Sequence, residues 1–375
     1  MGVRQNVDLV EIDKFPFVQR VLADNLARVN LFVGENNCGK TSLLEAIRLL
    51  AADSEAGAIL SIAAQRGEFA PGGNGNSQSA SLPVSSFASH LFGGHSFEAG
   101  KYLEIAGDDC LGVLRLSVAA LDEENHPVDA PGTKEEDAVV IGIKLALYVE
   151  RLGVEDADFW IIPGGKVLTM NGNTTSPRFR RKKSIRSLFA GSDMFFPSEL
   201  ARLWDDVLVS RRDGEVRSAM RVLEPRLQDI AFLAGNTDRS NSPRTGIVVA
   251  LEGEKRRVPL GSLGEGVYRL LALALALSWC RGGILLLDEI DTGLHYSVMG
   301  NVWRMVVKTA IDLDVNVFAT THSYDCIRGL AWLCENHPEL GEQVSLHKID
   351  RSRDHSVACD AERIVRTFAN GIEVR

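Results

Sequence analysis

Nine consecutive residues, Gly34-Glu35-Asn36-Asn37-Cys38-Gly39-Lys40-Thr41-Ser42, meet the spacing G-x-x-x-x-G-K-[ST] in full. That combination suits a polyphosphate. Main-chain N–H groups of such a loop, and of the helix N-terminus behind it, surround a phosphate, and glycine at 34 and 39 lets the backbone come close. The Lys40 ammonium then bridges β- and γ-oxygens while the Thr41 hydroxyl ligates Mg²⁺. Asn36, Asn37, Cys38 and Ser42 complete the cradle. The competing reading is a glycine-rich turn ahead of an ordinary helix, and the context weighs against it: an apolar strand precedes the loop and an amphipathic helix follows.

A second signal lies about 250 residues downstream, in Ile284-Leu285-Leu286-Leu287-Asp288-Glu289. A buried strand that delivers a carboxylate at its C-terminal end is what a nucleotide hydrolase needs to hold Mg²⁺, and the next carboxylate, Glu289, can orient or deprotonate the attacking water. Alone the pattern is common, since many buried strands end in acidic loops. Beside a phosphate loop it gains meaning.

Three further groups are candidates. Ser262-Leu263-Gly264-Glu265-Gly266 opens a helix, and the S-x-x-E spacing allows a capping box as readily as a phosphate contact; the two are compatible because a capped helix N-terminus also favours an anion. Asp291 follows the acidic pair, and His322 stands in Thr320-Thr321-His322-Ser323 after another apolar run, where it is either a structural histidine or a donor to a γ-phosphate. Gln65, followed by Arg66, falls after the first helix, where the ABC-type ATPases that this motif order resembles have a glutamine touching Mg²⁺; the resemblance implies that role for it beside Thr41 and Asp288.

Positioning these residues requires alternating strands and helices. The periodicity predicts strands at 7–12 and 29–33, a helix at 42–52, and then a Gly-, Ser- and Asn-rich segment at 71–95 that reads as a mobile loop. Four β-type runs, 102–105, 112–119, 139–149 and 159–169, predict an antiparallel subdomain. The basic run Arg178-Phe179-Arg180-Arg181-Lys182-Lys183-Ser184-Ile185-Arg186 comes next, either a solvated surface or a phosphate-binding strip, with Arg256 and Arg257 as candidate extensions. Residues 198–233 carry helical spacing throughout, without heptads. The last third alternates strands (246–251, 258–260, 284–287, 315–319) with helices (265–279, 296–311, 324–335), which predicts a parallel sheet covered on both faces.

Bulk properties narrow the class. The chain has 375 residues, 45% of them hydrophobic, 24% charged, and a net charge of -9, which excludes wholesale disorder and disfavours coating nucleic acid with the whole surface. Six scattered cysteines lack any C-x-x-C pair, so reduced thiols are expected and neither disulfides nor zinc. The N-terminus lacks the apolar core of a signal peptide, and the apolar run 270–287 is interrupted at 279–283, so the expected location is cytoplasmic with no membrane partner.

The order of these motifs resembles the ABC-type ATPases, and more fully the stand-alone members of the overcoming-lysogenization-defect (OLD) and RecF-like group, sometimes classed as AAA-family ATPases of bacterial defence loci. Carrying it are Gly34 to Ser42, Pro259 to Leu271, Leu287 to Ser297 and Phe318 to Ser323. The resemblance implies an α/β P-loop NTPase of ABC-ATPase type, with a parallel-sheet core, an antiparallel β-subdomain and a helical insertion. It implies ATP and Mg²⁺ as cofactors and a homodimer in which Ser262 and Gly264 of one subunit meet the γ-phosphate held by the other. Glu265, where transporter-type signatures have a second glycine, departs from that pattern. Relatives often control a Toprim nuclease; with about fifty residues after His322, the expectation here is a separately encoded effector. The organisation expected is an ATPase head from 1–65 and 245–375, a β-subdomain at 96–175, and a basic and helical insertion at 176–244. An ATP-hydrolysing switch leads, with a RecF-like DNA clamp acting through Arg178 to Arg186, or an assembly platform with negligible turnover, as alternatives.

Overall fold

A computed structural model of the chain describes residues 9–15, 18–52, 55–66, 88–92, 97–107, 111–152, 159–162, 166–169, 174–175, 185–191, 197–233, 246–350, 353 and 355–369. At its centre is a six-stranded sheet in the spatial order Ser187–Ala190, Ile284–Leu287, Asn316–Thr320, Val29–Val33, Val344–Lys348, Val357–Cys359. The first five strands are parallel and the last is antiparallel. Such a sheet needs apolar residues on both faces. The short runs ILLL and VNLFV meet that demand, being buried at every position.

Alternate side chains of each strand enter two different cores, as a period of two requires. Phe32, Ile284, Leu286 and Phe318 pack with the helix Lys40–Ala51 and the antiparallel sheet behind it. Leu31, Leu285, Leu287, Val317 and Ala319 pack with the helices Glu265–Trp279, Met299–Leu313 and Tyr324–Asn336. Helix Lys40–Ala51 is thereby clamped between two sheets. Arg151, buried on strand Lys144–Leu152, donates to the Leu50 carbonyl at 3.2 Å and to Leu111 O at 2.7 Å, capping the C-terminal turn of that helix from the antiparallel layer.

Several local expectations change. The antiparallel sheet takes in the hairpin Leu9–Phe15 and Val18–Asp24, whose first strand pairs with Tyr102–Gly107, so this layer begins at residue 9 and not at 96. Pairing across some ninety residues leaves no local trace in the sequence. Within the run expected at 139–149, a short helix Glu135–Val140, with Glu135, Glu136 and Asp137 at its positive end, precedes the strand. Residues 198–233 are not helical throughout: helices Pro197–Val209 and Asp213–Arg221 give way to a strand, Leu227–Phe232, paired with Ile247–Leu251. A register shift between Leu227 and Asp229 explains the misreading, because it puts the buried Leu227 and Ile230 three apart and so imitates a helical face. The basic residues 178–184 and most of the segment 71–95 lie outside the described residues. Among the described residues, no helix is long and apolar enough to cross a membrane.

Candidate functional site

Every candidate nucleotide-site residue except Gln65, Ser262 and Gly264 follows the C-terminal end of a strand in the parallel sheet. Strand Val29–Val33 ends in the phosphate loop, Ile284–Leu287 in Asp288 and Glu289, and Asn316–Thr320, which lies between them, in Thr321 and His322. The intervening strand thus carries the histidine between the loop and the acidic pair. Open parallel sheets hold ligands along this edge.

In the loop, Gly34 has φ 154°, and a Cβ there would sit 2.6 Å from the Ile349 carbonyl oxygen and 2.7 Å from Cys38 Sγ. Only glycine fits. Gly39 (φ 98°) and Asn37 (φ 64°) make the left-handed turns that bring the chain into the helix Lys40–Ala51. Lys40 Nζ lies over the mouth of the loop, donating to the carbonyls of Gly34 at 2.9 Å and Glu35 at 2.8 Å. The Thr41 hydroxyl is 3.1 and 3.3 Å from the two carboxylate oxygens of Asp288, which joins the first and second sequence signals across 247 residues.

The acidic turn is tied to the histidine turn. Thr320 Oγ1 donates to Asp288 Oδ1 at 2.5 Å and accepts from the Glu289 N–H at 2.9 Å. Thr321 Oγ1 donates to Asp291 Oδ1 at 2.5 Å and accepts from the Ser323 N–H at 2.9 Å. Glu289 adopts φ 53°, a left-handed conformation that costs a residue with a side chain about 1 kcal/mol. Its carboxylate lies 3.3 Å from His322 Nδ1, with both side chains partly open to solvent.

Behind the site, Glu45 sits one helical turn after Thr41 on the same face and is almost fully buried. Burial raises its pKa, and Arg66 opposes the rise by donating to both carboxylate oxygens at 2.9 and 2.7 Å. Neither residue stands out from motif spacing; the signal available was an acid on the otherwise apolar face of a helix. The Gln65 side chain accepts from Arg48 NH1 at 2.7 Å in the last turn of helix Lys40–Ala51, about 12 Å of helix rise beyond Lys40, so the structure does not bring it to the Mg²⁺ side.

Ser262 also departs from its capping-box reading. The N-cap of helix Glu265–Trp279 is Gly264 (φ 101°), without a side-chain cap, and the exposed Ser262 hydroxyl donates to the Pro259 carbonyl at 2.7 Å. Among the described residues the hydrogen bonds of Ser262 and Gly264 stay local, the Ser262 hydroxyl on the Pro259 carbonyl and the Gly264 N–H on the Gly261 carbonyl.

These residues fit a nucleotide with its metal. The glycine at 34 leaves a cradle that a Cβ would fill, and the donor set at its rim is one hydroxyl and one carboxylate, Thr41 and Asp288. Among the described residues no group of three or more His, Cys, Asp or Glu could hold a metal unaided. A hydroxyl and a single carboxylate, completed by phosphate and water, are the ligands Mg²⁺ prefers.

Known proteins match the chain in part. Residues 182–325 match the family described as "AAA domain, putative AbiEii toxin, Type IV TA system", a span that includes Ser262, Asp288, Glu289, Asp291 and His322 but not the phosphate loop. An ATP/GTP phosphatase of Helicobacter pylori is 25% identical over 122 residues, 31% of this chain and 30% of that protein. An uncharacterized protein of Methanocaldococcus jannaschii is 35% identical over 65 residues, 17% of this chain and 57% of that one. The chain therefore covers less than two thirds of either relative. Among solved structures, an SMC head bound to the C-terminal winged-helix domain of ScpA is 12% identical with a TM-score of 0.47, covering 96% of this chain and 99% of that one. The SMC head domain from Thermotoga maritima is 11% identical with a TM-score of 0.43, covering 95% and 99%. The fold is α/β, a parallel core with an antiparallel layer on one face and helices on the other.

Proposed function

We propose that the chain is an ATP-binding and ATP-hydrolysing switch that works as a homodimer and controls a separately encoded effector. The observation that carries this reading is the meeting of Thr41 and Asp288 at 3.1 Å, with Glu289 and His322 3.3 Å apart beside them on the same sheet edge. Lys40 and the loop amides bind the phosphates; Thr41 and Asp288 hold Mg²⁺, which when bound neutralises charge on the phosphates. Glu289 orients and takes the proton of the attacking water. His322 holds the Glu289 carboxylate on one side and donates to the γ-phosphate on the other. Asp291, anchored by Thr321, and the exposed Ser262 and Gly264 then serve a nucleotide in the second subunit, since the hydrogen bonds of Ser262 stay within its own turn.

The effector is a nuclease of Toprim type or a toxin, and the setting is bacterial defence of the OLD type. The description of the matched family, which names a toxin of a toxin–antitoxin system, supports that setting. Glu289→Gln tests the switch directly: in Mg²⁺ and ATP the variant should run as a stable dimer by light scattering and as a monomer in ADP. A monomer in both nucleotides would defeat the dimeric reading.

A second reading, a DNA clamp of the RecF kind, draws on a surface cavity of about 680 Å³ lined by Arg211, Arg212, Arg281 and Lys308. Burial first, and after it the nearby Arg186 and Arg281 charges, lower the pKa of Arg212, against the pull of Glu215, which lines the same cavity with Asp312 and pairs with Arg281. Clamping predicts ATP-dependent duplex binding that weakens steeply with salt and with charge removal at Arg211 and Arg212.

A further inference from the structure

Glu289 and Asp288 have to be held in place by something, and the chain supplies one residue that touches both. Strands Ile284–Leu287 and Asn316–Thr320 are parallel neighbours with Leu287 opposite Ala319, so the next step of the register sets Thr320 opposite Asp288. The Thr320 side chain is fully buried there. Its hydroxyl donates to Asp288 Oδ1 at 2.5 Å and accepts from the Glu289 N–H at 2.9 Å, while its own carbonyl accepts from the Ile290 N–H at 3.1 Å. One threonine therefore holds a carboxylate and two successive amides of the acidic turn.

We propose that Thr320 is the positioning residue of the hydrolytic site, aiming the Asp288 carboxylate at Thr41 and locking Glu289 in the left-handed conformation that turns its carboxylate toward His322. The proposal rests on the ATPase reading above. Asp288 lies between two hydroxyls delivered by different strands: Thr320 engages Oδ1, and Thr41, whose stronger contact is to Oδ2, lies on the phosphate side. With Oδ1 fixed by a buried donor, rotation of the carboxylate about its Cβ–Cγ bond is blocked and Oδ2 faces the metal position. The same hydroxyl engages the N–H of Glu289, whose φ of 53° is a conformation that a side chain ordinarily avoids. A hydroxyl is the group that can do both, because it donates and accepts at once. Valine has the same shape and neither capacity. The neighbouring Thr321 repeats the arrangement on Asp291 and Ser323, which braces the far end of the turn and leaves Thr320 the task of setting the near end.

The test compares Thr320→Val, Thr320→Ser and Thr320→Ala in the full chain, reading phosphate release, the Mg²⁺ dependence of ATP-analogue binding, and the thermal midpoint. Loss of the hydroxyl should lower kcat about 30-fold and raise the half-saturating Mg²⁺ about tenfold, in the range found for partners that orient metal ligands, with KM for ATP within about threefold. Thr320→Ser, which lowers the midpoint by removing a methyl group, should keep kcat within about threefold of the parent. If Thr320→Val fails to fold, the Ser and Ala variants, which differ by a single oxygen, carry the comparison. Serine falling as far as alanine, or valine matching the parent, overturns the proposal. A parent chain that binds ATP with Mg²⁺ but releases no phosphate refutes hydrolysis alone; the positioning role then stands or falls on the Mg²⁺ dependence of binding in the hydroxyl-free variants.

Discussion

Acidification from pH 7 to pH 5 should weaken the parallel sheet through one residue, His347. It is fully buried on strand Val344–Lys348, next to the phosphate-loop strand, with Nε2 2.8 Å from Ser345 Oγ and Nδ1 3.3 Å from Ser356 Oγ. Ser345 donates onward to Asn30 Oδ1 at 2.7 Å, and the imidazole packs against Phe32 at 5.2 Å between ring centroids. Burial holds the imidazole pKa down to about 4, with the Asp24 charge pulling the other way, against an ordinary value of 6.5. Between those values the unfolded chain binds a proton that the native chain refuses. The contribution to stability is therefore intact above about pH 6.5 and is lost as pH falls toward 4. At about 1.4 kcal/mol for each pH unit inside that window, the loss between pH 7 and pH 5 comes to about 2 kcal/mol. Urea unfolding of the parent and of His347→Gln at pH 7, 6 and 5 measures it: the parent should lose about 2 kcal/mol more than the variant over that interval. Equal losses, or a native His347 that titrates near its ordinary value by NMR, would refute the reasoning.

Other expectations follow from single contacts. Gly34→Ala drives a methyl into the Ile349 carbonyl and Cys38 Sγ, so it should cost about 2 kcal/mol in unfolding experiments and abolish ATP-analogue binding. Arg66→Met strands the buried Glu45 carboxylate and should cost about 3 kcal/mol at pH 7, a deficit that shrinks on acidification as Glu45 takes up a proton and is largely repaired by Glu45→Gln in the same chain. Ser262→Arg should lower turnover about tenfold or more while leaving the nucleotide affinity of the monomer unchanged, because its partner lies in the other subunit; unchanged turnover would remove Ser262 from the site.

What could be read from the sequence was whatever is local. The phosphate loop is nine contiguous residues, and Asp288 and Glu289 follow directly from a four-residue apolar strand, so their chemistry shows in composition and order. Thr320 and Thr321 stood in plain view beside His322, yet their roles depend on a register with a strand about thirty residues away. Arg66 was overshadowed by its neighbour Gln65 because a carboxamide matched the expected chemistry, whereas the buried Glu45 that fixes Arg66 has no motif. The bulge at Leu227 and Asp229 hid a strand behind a helical spacing, and the pairing of the N-terminal hairpin with Tyr102–Gly107 was set by a contact that no window of sequence spans.

The central claim is that Lys40, Thr41, Asp288, Glu289 and His322 form one hydrolytic centre. Phosphate release from Mg²⁺-ATP by the purified chain, beside Lys40→Ala and Glu289→Gln, tests it most directly. The account predicts measurable turnover in the parent that falls about 100-fold or more in both variants, with ATP still retained by Glu289→Gln and lost by Lys40→Ala. Turnover that survives in both variants would contradict it.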